Sequence, residues 1–319
     1  MNYRSYSDLA KTLIRNISLI PTDIDLIVGI PRSGLLVANM IALLLNKPIT
    51  DLNGYIENRL ISCGHTKNTE ELITSCSQAK KVLIIDDSVA SGESMSEAKD
   101  IINSFRKDGT SYIFACVYIC PGKERIVDLY MEVLAAPRMF EWNIFQHPGL
   151  KNACFDIDGV LCEDPTVEQN DDGINYIDFI RNATPKIIPS QKIGALVTSR
   201  LLKYDTLTRE WMKKHDVEYD ELVMMNCTFE ERRKKGNHGE FKGEFYKHSK
   251  YSLFIESEPN QAITIQKISH KPVYCVGNGI MYDGTTLYKM INDDNRVKRF
   301  LRRFLFFRKL NDLRKALKY

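Results

Sequence analysis

The chain has 319 residues, 44% hydrophobic and 27% charged, which is the composition of an ordinary globular protein long enough for two domains. Its eight cysteines form no CxxC pair and no zinc-like cluster with histidine, which argues against a disulfide framework and a structural zinc site. The N-terminus has no signal pattern and no apolar run approaches the roughly 20 residues of a membrane span, so we expect a cytoplasmic protein.

The net charge of +3 is unevenly distributed along the chain. Residues 296–319 contain ten Lys or Arg against one acid, Asp312, so this tail carries +9 and the remaining residues sum to −6. This distribution predicts an acidic body with a basic tail, and it gives no reason to expect nucleic acid as a partner of the body.

Short apolar runs rich in β-branched residues alternate with segments of helical periodicity, which is typical of parallel sheets covered by helices. The first half predicts helices at about residues 34–46 and 93–107 and strands at Leu26–Ile30, Val82–Ile85 and Tyr112–Ile119. The second half predicts strands at Ala153–Ile157, Ile193–Thr198, Leu222–Met225, Leu253–Ile255 and Val273–Val276. Each half is therefore expected to form its own α/β unit.

A break in this pattern separates the halves at Phe145–Leu150, where a Pro-Gly pair precedes a new buried strand. We place the domain boundary there, which gives one domain at 1–148 and a second at 149–290. The predicted fold class is α/β, with two parallel-sheet Rossmann-like domains and a basic amphipathic C-terminal helix in residues 291–319.

The first cluster of candidate site residues follows the strand at Val82–Ile85. Two adjacent carboxylates end this strand, and a Ser/Gly loop opens the next helix. Backbone N–H groups at a helix N-terminus, together with hydroxyls, suit a phosphate monoester, and the two carboxylates suit the vicinal hydroxyls of a ribose. Capping of a strand end is the plainer interpretation of a lone Asp-Asp pair, but the full run is more specific. The residues concerned are Asp86, Asp87, Ser88, Ser91, Gly92 and Ser94.

Residues 86–94 resemble the loop that binds 5-phosphoribosyl 1-diphosphate in type I phosphoribosyltransferases. The earlier run Val28–Gly34, again between strand and helix, resembles the diphosphate loop of that family. The resemblance implies that Arg32, Ser33 and Gly34 bind the donor there, with Arg32 meeting the leaving diphosphate. It also implies magnesium as the cofactor, and displacement at the anomeric carbon with inversion.

Two further stretches are expected to face the reaction centre. Residues 53–78 would form a mobile cover over it. The run 136–147 concentrates aromatic, acidic and basic groups, so Arg138, Glu141 and His147 are candidates for contacting the acceptor. The alternative for this run is an aromatic staple between the two domains.

The strongest motif of the chain is Phe155-Asp-Ile-Asp-Gly159, in which two aspartates follow a buried strand. Such a pair of carboxylates is costly unless a cation or a substrate uses it. The run resembles the first motif of the haloacid dehalogenase (HAD) superfamily of phosphatases. In that family the first aspartate attacks phosphorus and the second protonates the leaving oxygen, and the resemblance gives these roles to Asp156 and Asp158.

Later matches follow in the order of that family. Thr198 would hydrogen-bond the phosphoryl group, and Lys242 would neutralise the nucleophile and the phosphate, with Lys247 as a competing candidate. Glu256 and Glu258 stand where the family more usually has aspartates. The implied magnesium ligands are Asp156, Asp158, Glu256 and Glu258, and which glutamate binds the metal directly stays open.

Three smaller features complete the second half. Arg200 is a further candidate for contacting the substrate phosphate, and Asn170–Gly173 is predicted as a turn. The stretch from Gly159 to Thr198 is too short for a large cap domain, which favours a shallow site open to a phosphate on a large substrate.

The tail at 296–319 places apolar residues at helical spacing and Lys or Arg on the opposite side. This pattern predicts a helix on an anionic membrane surface. Docking to an acidic protein and contact with nucleic acid are the alternatives.

The two predicted activities fit together if one attaches a 5-phosphoribosyl group and the other removes its 5-phosphate, which leaves a β-ribofuranosyl residue. The domain order over residues 20–280 resembles dual-domain ribofuranosyltransferases of bacterial surface polysaccharides. That resemblance implies phosphoribosyl diphosphate as donor, a lipid-linked glycan as acceptor, and a cytoplasmic enzyme held at the inner face of the cytoplasmic membrane. Two alternatives are a nucleobase phosphoribosyltransferase with a nucleotide phosphatase, and a ligand-sensing domain that regulates a phosphatase.

Overall fold

A computed structural model describes residues 1–61, 73–105 and 108–285. The chain divides into two compact units, Met1–Trp142, here called unit 1, and Asn143–Tyr319, called unit 2. Each has its own sheet and its own buried core. An α/β fold with parallel sheets, as the sequence predicts, is therefore confirmed.

Two predicted features lie wholly or partly outside the described residues. The basic helix of residues 291–319 does so entirely, and the predicted cover at 53–78 does so at residues 62–72. Within the part of the chain that the structure describes, none of the helices combines the length and the apolarity that a bilayer crossing requires.

Unit 1 is a layered α/β structure. Its strands are β1 (Asn2–Arg4), β2 (Leu26–Gly29), β3 (Ile49–Asp51), β4 (Lys81–Val89), β5 (Ser111–Ile119), β6 (Leu129–Val133) and β7 (Arg138–Phe140). Its α-helices are α1 (Tyr6–Asn16), α2 (Ser33–Leu45), α3 (Leu52–Ile56) and α4 (Glu93–Ser104). Short 3-10 turns lie at Ile17–Leu19, Cys76–Gln78, Glu124–Ile126 and Glu141–Gln146. The main sheet is parallel throughout in the order β3-β2-β4-β5-β6, and β1 pairs in parallel with β7 as a separate ribbon.

The main sheet of unit 1 is buried on both faces because its strands are continuous apolar runs. Alternate residues serve opposite faces: Leu83 and Ile85 pack with residues of α1 and α2, whereas Val82 and Ile84 pack with residues of α4. Helix α1 begins with a capping box, in which the Ser5 hydroxyl accepts from the backbone N–H of Asp8 at 3.1 Å.

Unit 2 has a single mixed sheet. Its strands are β8 (Ala153–Phe155), β9 (Ile193–Leu201), β10 (Tyr219–Met225), β11 (Leu253–Glu256), β12 (Val273–Cys275) and β13 (Ile280–Tyr282). Its α-helices are α5 (Ile174–Asn182), α6 (Asp205–Lys214), α7 (Phe229–Lys235), α8 (His238–His248) and α9 (Pro259–Ser269), with 3-10 turns at Pro148–Asn152 and Leu202–Tyr204. The strand order is β10-β9-β8-β11-β12-β13, with β13 antiparallel to β12 and all other pairs parallel.

The fold of unit 2 places three strand ends side by side. Strands β9, β8 and β11 are adjacent and parallel, so their carboxyl ends lie at one edge of the sheet. Helices α8 and α9 pack on this sheet, and small and aromatic residues form the contacts. A Cβ atom on Gly243 of α8 would lie 3.3 Å from the Cα atom of Ile265 of α9, so the glycine permits close helix packing.

Candidate active sites

The two predicted donor loops of unit 1 meet at one edge of the sheet. Strands β2 and β4 pair directly, with Gly29 opposite Ile85, and β4 continues past its predicted end at Ile85 to Val89, so both carboxylates lie on the strand and the loop to α4 follows it. The first loop leads into α2 and the second into α4, which gives a crevice at the carboxyl ends of parallel strands. Open α/β sheets commonly bind ligands in this place.

Gly34 allows the start of α2 to pack against the middle of β4, at Ile85 and Asp86. A Cβ atom at this position would lie 2.7 Å from the carbonyl oxygen of Ile85 and 3.0 Å from Oδ1 of Asp86. Any side chain would therefore force the two loops apart. The peptide bond between Pro31 and Arg32, just before this contact, is cis.

Neutral groups hold the two carboxylates of unit 1. Asp87 accepts from the Ser33 hydroxyl at 2.8 Å through Oδ1 and from the Trp142 indole N–H at 2.7 Å through Oδ2. Asp86 accepts from the backbone N–H of Asp87 at 2.8 Å. Burial, followed by the charge of Asp87, raises the pKa of Asp86 to about 8.

A cavity of about 130 Å³ lies beside Asp86 and is closed by the loop that opens α4. Gly92 stands before the first turn of α4 with φ +98°, a conformation that favours glycine. The predicted residues that line the cavity are Asp86, Ser88, Ser91, Gly92 and Ser94. Arg32 is exposed and does not line it.

The three candidates for contacting an acceptor have different surroundings. Arg138 lines the 130 Å³ cavity. Glu141 accepts from the backbone N–H of Tyr6 at 2.8 Å, and His147 accepts from the backbone N–H of Gly149 at 2.9 Å. The structure therefore gives Glu141 a long-range contact and His147 a local one, and of the three candidates only Arg138 lines the cavity.

The predicted carboxylates of unit 2 follow adjacent strands. Asp156 comes directly after β8, and Glu256 ends the neighbouring β11. The backbone N–H of Asp156 donates to the carbonyl of Ile255 at 2.9 Å, which fixes the two strand ends together. Both carboxylates are buried, with Glu256 0% and Asp156 6% exposed.

Lys242 of α8 bridges these two carboxylates. Its ammonium donates to Oδ2 of Asp156 at 2.6 Å, to Oε2 of Glu256 at 2.7 Å and to Oε1 of Gln261 at 2.9 Å, so all three N–H donors are used. Burial opposes the charge of Lys242, but Asp156 and Glu256 raise its pKa overall. The competing candidate Lys247 is 45% exposed and lies 3.9 Å from Glu244. The geometry favours Lys242.

The same cluster sets the acidity of the predicted nucleophile. Burial raises the pKa of Asp156, and the Lys242 ammonium is the largest opposing influence. Breaking this pair by removing Lys242 would leave an uncompensated buried charge, which is among the most destabilising changes a core can undergo.

Asp158 has a different cationic partner. The Arg200 guanidinium donates from Nε to both carboxylate oxygens at 3.2 Å and from Nη2 to Oδ1 at 2.6 Å. The Arg200 side chain is 0% exposed, so its charge depends on this partner. Arg200 thus holds a site carboxylate rather than reaching for a substrate phosphate, and proton donation by Asp158 would require this ion pair to open.

The four predicted magnesium ligands do not converge in the structure. Asp158 faces Arg200, and Glu258 caps α9 by accepting from the backbone N–H groups of Asn260 at 3.0 Å and Gln261 at 2.7 Å. Among the described residues no group of three or more His, Cys, Asp or Glu side chains is arranged to hold a metal ion. The carboxylates as placed do not fit the implied metal, because each is already paired with a cation or with helix N–H groups.

Two neighbouring hydroxyls at the end of β9 face the site. Thr198, the predicted phosphate contact, is 1% exposed and its Oγ1 accepts from the backbone N–H of Arg200 at 3.2 Å. Ser199 was not singled out from the sequence, although its Oγ is buried and has no hydrogen-bond partner in the described part of the chain. Both residues line the cavity of unit 2.

That cavity measures about 820 Å³ and has walls that the sequence did not predict. Arg232 is 7% exposed and links the walls, because it donates to the carbonyl of Ser199 at 3.2 Å and to Oδ1 of Asn170 at 3.1 Å. Asp171, in the predicted turn, accepts from the backbone N–H of Gly173 at 2.8 Å. The other unpredicted lining residues include Asp164, Tyr176, Phe229, Arg233 and His238.

The wall of this cavity is cationic near α7 and acidic near Gly159. Burial, then Arg232 and Lys242, lowers the pKa of His238. Burial and the charge of Asp158 raise the pKa of Asp164. The cluster of basic residues in α7, just after a predicted strand, was the signal in the sequence from which this wall could have been found.

Residues 3–144 match the family model described as phosphoribosyl transferase domain. Unit 1 is therefore an α/β domain of the phosphoribosyltransferase type. A related protein, the orotate phosphoribosyltransferase of Sulfurisphaera tokodaii, is 33% identical over 102 residues, which are 32% of this chain and 47% of that protein. The chain thus spans about half the length of this curated relative.

Solved structures of phosphoribosyltransferases are also similar to part of the chain. The Helicobacter pylori xanthine-guanine-hypoxanthine phosphoribosyltransferase is 15% identical with a TM-score of 0.34, covering 45% of this chain and 93% of that one. The orotate phosphoribosyltransferase of Aeropyrum pernix is 18% identical with a TM-score of 0.28, covering 40% and 70%. Both TM-scores are too low to support an inference about this chain.

Proposed function

We propose that unit 1 transfers a 5-phosphoribosyl group from phosphoribosyl diphosphate to an acceptor. The family match over residues 3–144 supports this, together with the cavity beside Asp86 that the Ser88–Ser94 loop closes. The loop would hold the 5-phosphate, and the carboxylates of Asp86 and Asp87 would face the ribose hydroxyls. Arg32, exposed on the first loop, would meet the diphosphate.

The reaction breaks the bond between the anomeric carbon and diphosphate and forms a bond from that carbon to the acceptor, with inversion. Magnesium, when bound to the diphosphate, would neutralise charge on the leaving group. The chain itself contributes mainly position and hydrogen bonds.

We propose that unit 2 then removes the 5-phosphate as a HAD-type phosphatase. The observation that carries this step is the buried bridge from Lys242 to Asp156, which presents a carboxylate with its countercharge at the bottom of an 820 Å³ cavity. Asp156 would form a bond to phosphorus while the bond to the sugar oxygen breaks, and water would then attack phosphorus, break the bond to Asp156 and release inorganic phosphate. Asp158 would deliver the proton to that oxygen, and Thr198 would hydrogen-bond the phosphoryl group.

The product of both steps is an unphosphorylated β-ribofuranosyl residue, and we propose a glycan, carried on a lipid, as its acceptor. Supporting this assignment is the cavity of unit 2, which measures about 820 Å³ and could receive a phosphate displayed on a bulky substrate. The alternative acceptor is a nucleobase, which the name of the orotate-using relative favours.

The experiment is to disable unit 2 alone. Asp156→Asn keeps the shape of the side chain and removes the nucleophilic charge, so transfer by unit 1 should continue. With phosphoribosyl diphosphate and a competent acceptor, mass spectrometry should find a phosphopentose adduct from this variant and an unphosphorylated pentose adduct from the wild type.

Two results would contradict the proposal. Release of the dephosphorylated adduct by Asp156→Asn at the wild-type rate would show that Asp156 is not the nucleophile. Conversion of a free base to its nucleoside, with no glycan modified across a panel of acceptors, would replace the glycan by a nucleobase.

We also propose that the basic tail at 296–319 holds the enzyme at the anionic inner face of the cytoplasmic membrane. The charge of +9 and the apolar stripe in the sequence support this. Deleting the tail should abolish salt-sensitive sedimentation with anionic vesicles. Equal sedimentation of full-length and truncated chains would refute the proposal.

A further inference from the structure

Arg138, at the start of β7, carries a guanidinium that lies near the Asp86 carboxyl but forms no ion pair among the described residues. Its Nη1 atom is buried, and no described residue forms a hydrogen bond with it. The described ion pairs do not include Arg138 either. A cationic group that loses water without gaining hydrogen bonds is costly, so this arrangement indicates a ligand.

The cavity that Arg138 lines is the one beside the predicted phosphate loop. Ser88, Ser91 and Ser94 contribute hydroxyls to the same 130 Å³ space, and α4 begins there. Hydroxyls, backbone N–H groups at a helix start and an unpaired guanidinium are all hydrogen-bond donors. They converge on a space that suits a small anion.

Two stacked aromatic side chains fix the position of Arg138. The guanidinium carbon lies 5.4 Å from the ring centre of Phe140, and that ring stacks on Trp142 at 4.7 Å with an interplanar angle of 13°. The Trp142 indole in turn donates to Asp87. Because each member rests on the next, the guanidinium is held at the cavity before a ligand arrives.

We propose that Arg138 binds the 5-phosphate of the phosphoribosyl ligand, opposite the hydroxyls of the Ser88–Ser94 loop. This inference rests on the function proposed for unit 1. The anion is a phosphate ester rather than an acidic group of the acceptor, because Arg138 and the loop line one cavity. Arg138 is thus a substrate-contacting residue from the β1–β7 ribbon, which lies outside both donor loops.

The two tryptophans allow each unit to be followed separately, since Trp142 belongs to unit 1 and Trp211 to unit 2. The full chain, labelled with 5-fluorotryptophan and carrying Asp156→Asn to prevent hydrolysis, is titrated with ribose 5-phosphate and observed by fluorine NMR. Trp142→Phe assigns the two signals. The Trp142 signal then reports binding to unit 1.

In this background, Arg138→Met keeps the length of the side chain over Phe140 and removes the charge. It should weaken ribose 5-phosphate binding at the Trp142 signal about tenfold or more, since a charge-assisted hydrogen bond is lost. Arg138→Lys should weaken it less, because the charge remains while the planar fork is lost. Arg15→Met, an exposed arginine of α1, is the matched control and should leave binding unchanged.

Other outcomes separate this inference from the function on which it rests. If Arg138→Met and Arg138→Lys both titrate like the parent protein, Arg138 does not bind the phosphate, while unit 1 keeps its proposed donor site. The same holds if the substitutions raise only the KM for the acceptor. If the Trp142 signal of the parent responds neither to ribose 5-phosphate nor to phosphoribosyl diphosphate, the donor site of unit 1 is refuted as well.

Discussion

Units 1 and 2 each carry a pair of aspartates at a buried parallel strand, within β4 in unit 1 and directly after β8 in unit 2, but they compensate the charge in different ways. In unit 1 neutral donors, the Ser33 hydroxyl and the Trp142 indole, hold Asp87. In unit 2 buried cations hold the carboxylates, Lys242 for Asp156 and Arg200 for Asp158. Neutral donors give the carboxylate that they hold no countercharge, whereas the built-in cations of unit 2 neutralise its carboxylates before the substrate arrives.

The largest expected effect comes from removing the buried cation of unit 2, Lys242. Lys242→Met should lower the hydrolysis of ribose 5-phosphate by about a hundred- to a thousandfold and destabilise unit 2 by about 3–5 kcal/mol, because Asp156 and Glu256 lose their countercharge. Kinetic assays and urea unfolding measure the two effects.

Lys247→Met is the matched control, since Lys247 lies on the same helix but is exposed. It should change neither hydrolysis nor unfolding. Equal losses in the two variants would mean that the effect belongs to α8 as a whole and not to the bridge.

Removing both carboxylates of unit 1 tests the other side of the comparison. Asp86→Ala with Asp87→Ala should reduce phosphoribosyl transfer at least about a hundredfold, because the ribose loses its positioning partners. Hydrolysis of a small phosphomonoester by unit 2 should stay at the wild-type rate. Near-normal transfer by the double variant would exclude Asp86 and Asp87 from the donor site.

The raised pKa of Asp86 predicts a pH dependence of stability. The folded chain keeps a proton on Asp86 up to about pH 8, whereas the unfolded chain releases it at the usual pKa of 3.8. The free energy of unfolding therefore falls as the pH rises from about 4 through about 8, since the folded state binds the proton more tightly. Asp86→Asn should remove this contribution.

The measurement is the difference in unfolding free energy between wild type and Asp86→Asn at about pH 5, 7 and 9. The free energy of unfolding of the wild type should fall relative to that of the variant as the pH rises. A constant difference across that range would show that the pKa of Asp86 is not raised by folding.

The smallest expected effect concerns the neutral donor to Asp87. Trp142→Phe keeps an aromatic ring beside Phe140 and removes the indole N–H together with part of the ring system, so the dissociation constant of phosphoribosyl diphosphate should rise about three- to tenfold. Calorimetric titration of the Asp156→Asn background measures this. An unchanged constant would indicate that Ser33 alone is enough to orient Asp87.

Apolar runs made most of the two sheets predictable. The strands β2, β4, β5, β8, β9, β11 and β12 contain buried apolar runs that carry this signal within their own residues, and the apolar end of β10 carries it as well. The ribbon of β1 and β7 was not predicted, because each strand has three residues and the pairing of Asn2 with Arg138 depends on distant parts of the chain. Such strands leave no periodic pattern.

The site residues also divide into those that a local motif indicates and those that depend on distant parts of the chain. Motif order located Asp86, Asp156 and Lys242, but not the partners that fix them, since the hydrogen bond from Trp142 to Asp87 joins distant positions. The role of Glu258 could have been read from the sequence, because an acidic residue followed by proline is typical of a helix start.

The contact at Gly34 has a consequence for engineering donor specificity. Because a Cβ atom at this position would clash with Ile85 and Asp86 of β4, the start of α2 and the strand that carries the two aspartates cannot change independently. A library that enlarges position 34 or reshapes either loop alone will mostly return unfolded or inactive clones. Productive variants are expected only where substitutions on both loops are selected together, so the donor site should evolve in paired steps rather than single ones.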